Sequence, residues 1–144
     1  MVTAVGVVVL IVGLICWIGQ SLTFLARSVA VKLGVAEPEE EMDPTLYILE
    51  TRVQGLNDML LTWTLPLSAL LMLLEHPLWP YLGLIGGGIY VYFSGVIILS
   101  RVFLKRRGMK VGPASSERAA YVFGVIWILS ALTMIALASI ELSG

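Results

Sequence analysis

The chain is poor in the side chains from which most enzyme centres are built. Its 144 residues include one cysteine and one histidine. An internal disulfide, a cysteine metal cluster, a bis-histidine haem site, an HExxH helix and a Ser-His-Asp triad are therefore excluded. The histidine, His76, stands between Glu75 and Pro77, and one imidazole with one carboxylate supplies too few ligands for zinc from one subunit. Charge is also scarce. Only 13% of residues are Asp, Glu, Lys or Arg and the formal net charge is −1, so no global basic field favours nucleic acid. The centres of the apolar stretches carry no charge, which argues against a proton or ion relay through a single subunit.

What the chain has is apolar length. Its hydrophobic fraction is 58% and its mean hydropathy +0.94, beyond the roughly 45–50% of a soluble domain. A bilayer-spanning helix needs about 20 mostly apolar residues, and four stretches qualify: Val2 to Ala26, Leu56 to Leu74, Tyr81 to Ser100 and Ala119 to Ile140. All nine Lys and Arg residues lie in two segments between them, Arg27 to Arg52 and Arg101 to Arg118. Positively charged connectors stay on the cytoplasmic side. The expected fold is thus an all-α, integral membrane, four-helix up-and-down bundle, one domain over residues 1–144, N-out/C-out in a plasma membrane. Met1 to Ile15 has no charge and the apolar run reaches Ala26, so the first helix reads as retained rather than as a cleaved signal peptide.

The cytoplasmic loop over residues 27–55 opens with Arg27 and Lys32 and continues into the acidic run Glu37 to Asp43, read as a solvated linker. Asp43-Pro44 has the form of a helix start, an Asp cap followed by a proline whose missing N–H costs nothing there. One long helix over Thr45 to Leu74 follows from it. Glu75 to Pro80 makes a short hairpin connector, with Trp79 and Tyr81 expected at the outer interface. In the basic loop over 101–118, Ser115 or Ser116 is the expected cap of the fourth helix.

Span two has two faces. Val53, Leu56, Leu60, Trp63, Leu67, Leu70 and Leu74 recur at spacings of three and four, and Glu50, Gln54, Asn57, Asp58, Thr62, Thr64, Ser68 and Ala69 lie roughly opposite. In hydrocarbon the polar face points into the bundle, because its groups need partners and apolar bulk gains nothing by hiding. Pro66 is the expected kink. On span three, Gly83, Gly87 and Ser94 form a small-residue seam for close helix packing, and Arg101 continues its face. Gly86-Gly87-Gly88 is not a phosphate loop, since neither a strand before it nor a Gly-Lys-Ser/Thr after it is present. Trp17, Trp63 and Trp127 read as packing or lipid contacts.

The cytoplasmic helix ends bring Gln20, Arg27, Asn57, Asp58, Arg101, Glu117 and Arg118 to similar depth. Arg101 should point inward, and an ion pair with Asp58 is the expected contact. The candidate polar or anion-binding cluster is Arg52, Asn57, Asp58, Tyr92, Arg101 and Arg118.

Leu56-Asn57-Asp58, preceded by Arg52 and followed by Pro66, together with Tyr90, Tyr92 and Arg101, resembles the membrane-associated eicosanoid and glutathione metabolism (MAPEG) family across the whole chain. The resemblance implies a trimer of four-helix subunits binding glutathione near the cytoplasmic side, with Asn57, Arg52, Tyr92 and Arg101 as anionic-ligand contacts. Where that family has an Arg four residues before the Asn and a Glu three after it, this chain has Val53 and Leu60. Three readings follow: a non-catalytic oligomeric, accessory or assembly subunit; a MAPEG-like enzyme using glutathione or another anionic cosubstrate with a lipophilic substrate; and an oligomeric small transporter or channel. Membrane lipids and a homo-oligomer or larger membrane complex are the expected partners, and nucleic acid is not.

Overall fold

Each apolar stretch folds as a helix, and the last three of these helices begin before their stretches do. The computed structural model describes residues 2–144, and among them the long elements are α1 (Val2–Leu25), α3 (Pro44–Leu73), α4 (Trp79–Arg106) and α5 (Ala114–Ser143), with a short α2 (Arg27–Lys32) after α1. These four long helices are apolar enough to cross a membrane, and no strand forms among the described residues.

Helix α3 starts where Asp43-Pro44 predicts. The Asp43 Oδ1 accepts from the Thr45 N–H at 2.9 Å and the Leu46 N–H at 3.4 Å. Its continuity is broken twice, by a wider π-type turn over Leu49–Gln54 and by a turn at Thr62 and Trp63, just before Pro66. Helix α5 departs from expectation. It begins at Ala114 after Pro113 in extended geometry, so Ser115 and Ser116 fall inside the first turn and neither caps it. Proline sets the entry φ by itself, and no side-chain cap forms.

Three helix ends close in the same way. After α2, α3 and α4 the chain turns left-handed at Gly34, Glu75 and Gly108, with φ of 69°, 54° and 76°. In each, the N–H of the following residue returns to a carbonyl five positions back, as His76 does to Leu71 at 2.9 Å. Glu75 is the one position that carries a side chain through this geometry. The His76 Nδ1 then accepts the Leu78 N–H at 3.2 Å, closing the hairpin.

The two faces of α3 divide as the sequence pattern indicates, except that Asn57, expected on the inward face, is exposed. Thr62, Leu65, Ser68 and Ala69 are fully buried, whereas Val53, Leu60, Trp63 and Leu74 are exposed. Trp79 reverses its expectation. It is buried rather than interfacial, and its carbonyl accepts the Ser68 Oγ–H at 2.8 Å, which ties the start of α4 to α3. Tyr81 is exposed as expected. Trp127 is buried and donates to the Val12 carbonyl at 3.3 Å, and Trp17 donates to the Met59 carbonyl at 3.0 Å.

Helices α3 and α4 meet without a side-chain layer at one point. A Cβ at Gly86 would lie 2.7 Å from the Leu65 backbone nitrogen, so only glycine permits the approach. The seam residues Gly83, Gly87 and Ser94 are all buried, Gly83 against Ser68 and Ala138 and Gly87 against Ile135. One turn further along α4, the fully buried Tyr90 hydroxyl lies 3.0 Å from both the Thr62 and the Gly13 carbonyls. Pro66 has no N–H to return to Thr62 four residues earlier, and Tyr90 supplies the missing donor.

At the end of the bundle bearing both charged connectors, those connectors pair with each other. Met42 and Val111 form an antiparallel bridge, and the Asp43 N–H donates to the Lys110 carbonyl at 2.8 Å. Met42, Leu46 and Val111 form a small second core there, with Tyr47 and Leu104 against it.

Removing the Tyr90 hydroxyl leaves a buried carbonyl without its donor, so Tyr90→Phe is expected to cost about 1–3 kcal/mol. In a Pro66→Ala background a backbone N–H can serve Thr62, and the same change should cost less. A double-mutant cycle on unfolding in detergent measures the difference.

Candidate functional site

The register of α3 against α4 decides which charges meet. Tyr90 bonds the Thr62 carbonyl and Gly86 abuts Leu65. In an antiparallel pair with equal rise per residue, moving from Tyr90 to Arg101 corresponds to moving from Thr62 back to Thr51. Arg101 therefore lies level with Glu50, two turns nearer the connector end than Asp58.

The expected Arg101–Asp58 pair is accordingly not formed. Arg101 is inward as anticipated and only 4% exposed, but its two terminal nitrogens are taken by Glu50 Oε1 and Oε2 at 2.6 and 3.2 Å and by Glu37 Oε1 at 3.0 Å. A fork of parallel donors matches one carboxylate in two-point fashion, the geometry that favours Arg over Lys in buried pairs. Glu50 and Gln54 belong to the π-type turn and Asp58 follows one turn later, so all three line the same side.

Glu37 corrects the reading of the acidic run as a solvated linker. Glu39, Glu40 and Glu41 are exposed, but Glu37 is buried on Arg101. Its backbone is held by Arg27, whose Nη2 donates to the Glu37 carbonyl at 2.5 Å while the guanidinium lies 4.3 Å from the centre of the Tyr47 ring. Gly112, at φ 100°, lets the third connector pass against the Glu37 side chain. Glu117, at the start of α5, accepts from Lys105 Nζ at 2.7 and 2.9 Å and from the Tyr121 hydroxyl at 2.9 Å.

The clasp residues Arg27, Glu37, Glu50 and Arg101 border a cavity of about 340 Å³. Its charged part is Arg27, Glu37, Glu50, Asp58 and Arg101, its amides are Gln20 and Gln54, and its apolar wall includes Cys16, Phe93, Phe123 and Trp127. Asp58 Oδ2 and Arg101 Nε are buried without a hydrogen-bond partner among the described residues.

Of the six residues proposed as an anion-binding cluster, Asp58 and Arg101 line this cavity and the other four do not. Arg52, Asn57 and Arg118 are exposed, and the Asn57 amide donates back to the Val53 carbonyl at 2.9 Å. Tyr92 is 76% exposed on the outer face of α4. Arg52 is out of phase with Glu50 and Tyr92 with Tyr90 and Arg101, whereas Asn57 shares the α-helical phase of Glu50 and is turned outward by the wider turn over Leu49–Gln54 between them. Glu50 carried a legible signal, its spacing of four from Gln54 and eight from Asp58. Glu37 carried none, because its partner lies 64 residues away.

No protein-family model, no curated protein and no solved structure matches the chain.

Arg101→Met would leave Glu37 and Glu50 buried without their counter-charge, and is expected to cost about 3–5 kcal/mol. Adding Glu37→Gln and Glu50→Gln should recover much of the loss, because no uncompensated carboxylate then remains on the clasp. Thermal unfolding of the purified single and triple variants tests the ordering.

Proposed function

We propose that the chain is a four-span integral membrane protein, N-out/C-out, acting as a non-catalytic subunit of an oligomer or larger membrane complex. One observation carries the non-catalytic part. The strongest charged groups are consumed in a clasp that joins the first connector, α3 and α4, with Arg101 held by Glu37 and Glu50. With both terminal nitrogens engaged, Arg101 holds the fold together and keeps only its Nε–H free. The same charge balance disfavours a glutathione-using enzyme: three carboxylates and two guanidiniums line the cavity, and a ligand with two carboxylates would meet only one guanidinium, that of Arg27, without a carboxylate partner. Asn57, Arg52 and Tyr92, the other contacts that the MAPEG resemblance implies, do not line this cavity.

Orientation rests on the distribution of Lys and Arg and on the mutual pairing of the two charged connectors, which puts both at one end of the bundle. In a Cys16→Ala background, Ser143→Cys should react with a membrane-impermeant maleimide in intact cells, and Ser115→Cys only after permeabilisation. Labelling of both from the same side would contradict the topology.

Association is supported by α4. Gly88 and Gly95 share a heptad spacing on its outer face, and a Cβ at either would meet nothing within 4 Å. Small residues uncovered in one chain allow close approach of a helix from another. Gly88→Leu should reduce chemical crosslinking between chains in membranes by several-fold while leaving the monomer's thermal stability unchanged. Unaltered crosslinking would remove this face from the interface.

A further inference from the structure

The charged cavity continues onto the outside of the bundle. Ile11, Leu14, Ile18 and Leu22 of α1 line a shallow apolar groove of about 410 Å³. The groove and the cavity share Ile15, Gly19, Leu33 and Val35. A single surface thus runs from aliphatic side chains that a bilayer would bathe to a buried ionic interior, the shape required by a molecule with an apolar tail and a polar head.

Charge selects the head. Arg101 is engaged by Glu37 and Glu50, which leaves one carboxylate and one guanidinium in the cavity without ionic partners. The carboxylate is Asp58, whose Oδ2 is buried and unbonded. The guanidinium is Arg27, which meets a backbone carbonyl and the face of Tyr47 but no carboxylate. In addition, Nε of the almost fully buried Arg101 has an N–H with no acceptor. An anionic head would satisfy Arg27 and leave Asp58 uncompensated. A quaternary ammonium would offset the charge of Asp58 but has no N–H to donate. A primary ammonium joined through a short linker to a phosphodiester satisfies both, the ammonium donating to Asp58 and the phosphate oxygens accepting from Arg27 or Arg101 Nε.

We propose that the cavity and groove form a binding site for a bilayer phospholipid with an ethanolamine-type headgroup, its acyl chain lying along α1. This inference rests on the reading of the chain as a membrane protein. The test is native mass spectrometry of the full-length protein after exchange into equal mixtures of lipids with ethanolamine, choline and glycerol headgroups. Wild-type protein should retain the ethanolamine lipid about tenfold over each of the others, the scale of one hydrogen bond to a charged group. Asp58→Asn should abolish the preference over choline, and Gly19→Leu, at the junction of groove and cavity, should lower retention of all three lipids. Equal retention, a preference for the glycerol lipid, or a preference untouched by Asp58→Asn would overturn the inference. Because headgroup selectivity is read on the wild-type protein, a variant that fails to fold does not block the test. A carbonate wash of membranes separates the two readings. Release of the chain would sink the membrane reading, whereas a chain that stays in the membrane but shows no headgroup preference sinks only the lipid site.

Discussion

The ion clasp at Arg101 is the constraint on which the polar end of the molecule depends. A guanidinium 4% exposed cannot stand alone, and the two carboxylates that neutralise it come from the first connector and from α3. Their attachment fixes where the connector runs after α2, and Arg27 reinforces it through the Glu37 carbonyl. Once Glu37 is in place, the third connector can pass only where Gly112 offers no side chain. Buried ion pairs add little net stability over apolar side chains of similar volume, but breaking one is costly, so such a clasp specifies an arrangement more than it strengthens it.

Toward the middle of the bundle the governing constraint is backbone approach. Gly86 against Leu65 and Tyr90 against Thr62 set the offset of α4 along α3. That offset places Arg101 beside Glu50 and leaves Asp58 facing the cavity with an unused oxygen. The site and the packing are thus one problem. Changing the offset by two helical turns would bring Arg101 level with Asp58 and away from Glu50.

Helix number, the inward polar face of α3, the Asp43 cap and the inward direction of Arg101 were legible because each depends on local chemistry or on helical periodicity. The failures share a different cause. Pairing Arg101 with Asp58 assumed that helix ends align where apolar composition begins, whereas α3 extends twelve residues before Leu56, to Pro44. Trp79 was assigned by residue type to an interface, but Ser68 needs its carbonyl and the hairpin turns it inward. Tyr92 was drawn into the site by a motif resemblance, and helical phase points it outward; Asn57 was placed inward by regular helical spacing, which the wider turn over Leu49–Gln54 interrupts.

By itself the sequence determined the four long apolar helices, their order and the confinement of cations to two connectors, since hydropathy and spacing act along a single chain segment. Only the tertiary structure decided which charges neutralise one another. Glu37 and Arg101 are separated by 64 residues, and their meeting depends on interhelical offset and on a connector folding back, neither of which leaves a local trace. It also decided that Asp58 stands unpaired beside an apolar groove. Which oxygen is left over depends on the offset between two helices, which no single segment encodes.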